Sequence, residues 1–208
     1  MDRLIVVAVA AALLAACSST EENKQATSAA AQRAMGTPTP TPAPAAAHCA
    51  DVRADRWIDV PLAAGQPTMR IPQPPNWESE PEFIKPPMKL VLRNNALADG
   101  NGVPAITVAT GEAIKPDQTA EEMLNDSMAG FANIGAQNMV QRPVTVCGYS
   151  ARRVAYSADT VGATVVAVAV PLEGKMSVVI VAAQSVTPQN RTFRLDSERV
   201  LSGIRIGS

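Results

Sequence analysis

The chain has 208 residues, 47% of them apolar and 18% charged, and its 18 Lys and Arg against 19 Asp and Glu leave a net charge of −1. A near-neutral balance with no basic run excludes a surface built to hold nucleic acid. The length less a leader allows one domain of ordinary size, not two, and an aromatic content of 3% is too low for an aromatic sugar-binding platform.

Met1-Asp2-Arg3 is a short charged start, and Leu4 to Ala16 carries no charged or strongly polar side chain. Such a run is shorter than the roughly 20 residues a spanning helix needs and falls within the roughly 7 to 15 of a secretory h-region. It ends in Leu14-Ala15-Ala16-Cys17, which resembles a bacterial lipoprotein lipobox. The resemblance implies that residues 1–16 are a lipoprotein signal peptide, with diacylglycerol on the Cys17 sulfur, cleavage before Cys17 and acylation of the new amino terminus by a chain such as palmitate. Each buried methylene contributes about 0.8 kcal/mol, so two or three chains anchor a protein durably where one does not. A plain signal peptide cut at Ala10-Ala11-Ala12, with Cys17 incidental, is the alternative. Either way the chain is expected outside a membrane. The lipobox reading puts it on the extracytoplasmic face of the cell envelope, lipid-anchored, surface-exposed or shed.

Residues 17–48 are Ser, Thr, Ala, Gln and Pro with almost no large apolar side chain. They cannot bury enough surface to offset ordering and are expected to be a disordered tether. Its random-coil reach is about 30 Å, and more where Pro stiffens it. The alternating Thr and Pro of residues 37–44 favour polyproline II and also resemble an O-glycosylated stalk in composition.

The folded domain is expected over residues 49–208. Arg56 to Val60 and Thr68 to Pro72 read as short strands, after which Pro74 and Pro75 break pairing ahead of Trp77. Trp77 is either a core plug beneath this turn or a ligand-stacking aromatic. Lys89 to Asn94 and Val103 to Thr110 read as strands joined through Asp99-Gly100-Asn101-Gly102. Thr119-Ala120-Glu121-Glu122 has capping-box spacing, and Met123, Leu124, Met128 and Phe131 recur on one face, so a helix is expected over 119–133.

Gln137 to Cys147 and Ala151 to Ser157 follow as strands. Thr164 to Val170 and Met176 to Ala183 are apolar on both alternating sets, the mark of central strands covered on each side. The short Leu172-Glu173-Gly174-Lys175 connection makes them an antiparallel hairpin. The tail from Asn190 carries a helical stripe of Phe193, Ser197, Val200, Leu201 and Ile204, with Asn190 or Thr192 to cap it and Gly203 to end it. The expected class is α+β, an antiparallel sheet of about seven strands covered by helices.

If Cys17 is acylated, Cys49 and Cys147 remain as an even pair in an oxidising compartment, and a disulfide is expected. Two buried free thiols are the alternative. The only histidine is His48, in the tether, so a Ser-His-Asp or Cys-His device has no base inside the domain and His-ligated zinc has no ligands there. No Cys-x-x-Cys and no phosphate-binding glycine loop appear, and no cofactor or metal is expected. Glu78, Glu80 and Glu82 read as a solvated acidic loop in preference to a paired-carboxylate or calcium site, and Asp99-Gly100-Asn101-Gly102 reads as a turn. Met69, Met88, Met123, Met128, Met139 and Met176 either line a plastic cavity or fill an ordinary core.

The lipobox, the Thr/Pro/Ala stalk, a Cys opening the domain, the run Ile71-Pro72-Gln73-Pro74-Pro75-Asn76-Trp77 and a later Cys together resemble the LpqN- and LpqT-type lipoproteins of mycobacteria. The resemblance spans residues 49–208. It implies a Mog1/PsbP-like fold and a non-catalytic envelope role with links to mycolate-type lipids and protein partners. It implies no catalytic residue. The expected function is therefore a membrane-anchored binding module for envelope lipids or proteins, with a carboxylate-based hydrolase or a shed effector that binds a host protein as alternatives.

Overall fold

The computed structural model describes residues 49–62, 67–100, 102–112, 117–172 and 174–207; Cys17, His48 and the stretches expected to be signal peptide and tether lie outside them. In chain order the elements are β1 (Trp57–Pro61), β2 (Thr68–Pro72), β3 (Glu78–Ser79), β4 (Met88–Arg93), β5 (Ala105–Glu112), α1 (Ala120–Asn133), β6 (Gln137–Val146), β7 (Tyr149–Ala158), β8 (Val161–Leu172), β9 (Lys175–Ser185), α2 (Arg191–Ser202) and β10 (Arg205–Gly207). Seven strands form one antiparallel sheet in the order β3-β4-β5-β9-β8-β7-β6. This is the expected α+β class.

The two doubly apolar strands sit where their composition demands. β9 is the middle strand and β8 its neighbour, and both are buried along nearly their whole length. Alternation then sorts their side chains by face. Val165, Ile180 and Ala182 face α1 and pack with Leu124 and Phe131. Val166, Val168, Val179 and Val181 face the opposite layer and pack with Phe193, Val200 and Leu201 of α2. Each large apolar side chain so buried contributes about 1.5 to 3 kcal/mol.

One layer differs from expectation. β1 and β2 do not join the main sheet; with β10 they form a second sheet in the order β1-β2-β10 that shares the cover of one face with α2. Periodicity identifies a strand but not its partner, and β10 is too short to show a period. On this small sheet Arg70 and Arg205 stand 5.6 and 4.3 Å from the centre of the Trp57 ring, a cation–π stack.

The capping box at α1 is complete: the Glu122 amide donates to Thr119 Oγ1 at 3.3 Å, and the Thr119 amide donates to the Glu122 carboxylate at 2.9 Å. Thr119→Ala is expected to cost about 1 kcal/mol, read as a lowered urea midpoint at unchanged slope. Beneath α1, Tyr156 meets Phe131 edge-on with ring centres 5.0 Å apart, and burial pushes its phenol up to about 12. A folded-state value above that of the unfolded chain means the contribution is intact below about pH 10 and is lost as pH rises toward 12. Absorbance titration should place the Tyr156 phenolate step near that value, and Tyr156→Phe should blunt alkaline destabilisation.

The methionines fill separate places rather than one cavity. Met69 lies in the α2-side core, Met123 and Met128 under α1, and Met88 in a small cluster with Val91 and Ala109. Met139 is exposed on β6. That edge strand is guarded: Cys147 and Gly148 both have positive φ, 50° and 80°, in the two-residue turn to β7. In such a hairpin the flanking pair Val146 and Tyr149 exchanges both bonds, so by alternation Pro143 faces its missing N–H outward. A proline at the open side blunts the edge against strand addition.

Candidate functional site

The site is built by α2 and the ends of β7 and β8. Asn190 caps the helix, its side-chain oxygen accepting from the Phe193 amide at 3.2 Å, and Gly203 ends it. A side chain at Gly203 would lie 2.4 Å from Pro72, so glycine lets the helix terminus close onto β2. Phe193, Ser197, Val200 and Leu201 face the sheet. Arg191, Arg194, Leu195 and Glu198 follow the i, i+3, i+4, i+7 spacing of one flank.

That flank overlooks a groove of about 930 Å³. Its floor is Ala155 and Ser157 of β7 with Thr164 and Gly162 of β8, which pair as Ala155↔Thr164 and Ser157↔Gly162. Farther along the same face β8 carries Val166, Val168 and Val170, which fill the core. At this end of the hairpin the short side chains of Ala155 and Ser157 leave room that the valines of β8 fill farther along. Leu195 of α2, 61% exposed, lines the groove, and Val140 of β6, 69% exposed, pairs across the ladder with the floor residue Ala155. Solitary exposed apolar residues are ordinary, but one that lines a groove marks a candidate contact surface.

A second recess of about 370 Å³ continues toward the C-terminal end of α2, lined by Ala50, Arg142, Val144 and Ile204 among others. Arg153 lines both cavities, and its guanidinium forks onto the Glu198 carboxylate, spanning from β7 to α2 between them. Its neighbour Arg152 points to the other face and pairs with Glu121 of α1. Two consecutive arginines thus tie one strand to both helices. Arg-Arg inside an otherwise uncharged strand was a legible signal for these ties.

Cys49 and Cys147 are joined by a disulfide. The Ile206 amide lies 3.3 Å from the Cys147 sulfur, and Asp51 pairs with Arg205 at 3.6 Å, so the start of the domain is held against its last strand. Trp77 is the core plug and not a ligand platform. It is 1% exposed, its ring lies 6.4 Å from that of Phe193, and its indole N–H donates to Asp196 at 2.9 Å.

Glu80 and Glu82 do come together. Donating a hydrogen bond to the Glu82 carboxylate raises the Glu80 carboxyl above its usual range, while its own backbone amide and that bond from Glu80 hold Glu82 low. Both lie on the surface turn at Pro81–Phe83, away from the groove. Asp99 and Gly102 close on each other as an isolated bridge, the expected turn. Among the described residues no group of three His, Cys, Asp or Glu is placed to hold a metal, and no helix is long and apolar enough to cross a membrane.

A single seven-stranded antiparallel sheet, with one helix on one face and a helix plus a three-stranded sheet on the other, places the chain in the α+β class. Its fold is that of LpqN. The crystal structure of LpqN, described as involved in cell envelope biogenesis of Mycobacterium tuberculosis, superposes with a TM-score of 0.60 at 18% identity, covering 74% of this chain and 91% of that one. The Ran-binding protein Mog1p of Saccharomyces cerevisiae follows with a TM-score of 0.43 at 12% identity, covering 72% of this chain and 95% of that one. No family model and no curated protein sequence matches.

Proposed function

We propose that this chain is a cell-envelope lipoprotein, anchored through Cys17 and tethered by residues 17–48, whose domain binds a ligand along α2 without transforming it. The observation that carries this reading is the groove. It is of ligand size, floored in part by Ala155 and Ser157 and lined by exposed Leu195, and the chain's only histidine, His48, precedes the described residues. The lipobox-like Leu14-Ala15-Ala16-Cys17 and the likeness to an envelope-biogenesis protein support the location.

The test is performed in the native host. Labelled palmitate should enter the wild-type protein and not Cys17→Ser. A photoreactive residue at position 195 should capture envelope material, while one at exposed position 117, before α1, should capture none. No palmitate incorporation, or equal capture at both positions, would refute the proposal.

A further inference from the structure

The first turn of α2 is charged against its own dipole. Arg191 and Arg194 lie there with no acidic residue in that turn, although the positive end of a helix favours anions. Neither arginine forms an ion pair among the described residues, whereas Arg153 on the facing strand is neutralised by Glu198. Both line the groove. One turn further along, Ser197 borders the same groove; the residue is only 6% exposed, and its hydroxyl is buried without a hydrogen-bond partner. A buried hydroxyl left unpaired costs stability.

We infer that the groove takes an anionic phospholipid from the membrane to which the chain is tethered. Its phosphate is held by Arg191 and Arg194 at the helix N-terminus, and an acyl chain lies over Ala155 and Thr164 beside Leu195. This rests on the reading of the groove as a ligand site and adds the chemistry of the ligand. Guanidinium groups beside a helix N-terminus favour an anionic group with accepting oxygens, such as a phosphate diester. The small-residue floor and the apolar border match a hydrocarbon chain. The anchor proposed at Cys17 would keep the groove near that leaflet.

The mature protein, purified in mild detergent, is titrated with dioctanoyl phosphatidylglycerol and dioctanoyl phosphatidylcholine and read by native mass spectrometry. Phosphatidylglycerol should bind at least tenfold more tightly. Arg191→Gln/Arg194→Gln should reduce that preference to under threefold, with a melting temperature unchanged or raised because the dipole conflict is relieved. Millimolar inorganic phosphate alone should not displace the lipid; full displacement would mean a free-phosphate site and overturn the inference. Equal binding of the two lipids overturns the anionic assignment but leaves the groove reading standing. Binding of neither lipid removes both.

Discussion

Trp77→Ala is expected to lower unfolding stability by about 3 to 5 kcal/mol, a large part of the roughly 5 to 15 kcal/mol that a domain possesses. Trp77 is among the largest fully buried side chains, and it packs on Phe193 while donating its indole N–H to Asp196. Alanine both opens a cavity beneath α2 and leaves the Asp196 carboxylate without its donor. Trp77→Phe keeps most of the volume and removes the indole N–H, so its expected cost of about 1.5 to 3 kcal/mol is mainly that of the lost bond. Urea unfolding measures both, and a Trp77→Ala variant within 1 kcal/mol of wild type would contradict this description of the α2-side core.

The second large effect concerns the bridge from Cys49 to Cys147. Opening it frees a loop of 98 residues; loop-closure entropy sets an upper figure of about 4.7 kcal/mol, and removal of native disulfides costs about 2 to 5 kcal/mol. For a domain of this size each kcal/mol moves the melting temperature by about 2 to 4 °C, so a loss of about 3 kcal/mol lowers it by about 6 to 12 °C. Cys49→Ser/Cys147→Ser and wild type in reductant should shift together. A shift in neither would show that the bridge does not hold the domain. The residue after Cys49, Ala50, lines the smaller recess, so the double variant should also loosen that end of the α2 groove.

Much of the fold was readable because it follows local chemistry. The doubly apolar character of β8 and β9 announced their central position, the spacing Thr119 to Glu122 announced the start of α1, and Asn190 and Gly203 bracketed α2. The small sheet was not readable, since nothing in Trp57–Pro61 or Thr68–Pro72 records which strand each pairs with, and β10 has three residues. The groove was hidden for a related reason. Ala155, Ser157, Gly162 and Thr164 are unremarkable strand residues until the β7–β8 register brings them side by side and α2 lies along them. The charge conflict in Arg191 to Arg194 could have been seen in the sequence, because arginines in the first turn of a capped helix oppose its dipole.

Ligand capture in the α2 groove is tested most directly by filling its floor. Ala155 is exposed at the base of the groove, away from the packed core, so Ala155→Trp occupies the groove without crowding the interior. Mature wild-type protein and the variant, purified side by side from native membranes, are compared by native mass spectrometry for co-purifying lipid and by thermal melting for fold. The expected result is lipid adducts on wild type, none on Ala155→Trp, and matching melting temperatures. Equal adducts on both proteins would place the ligand elsewhere and contradict the assignment of the groove.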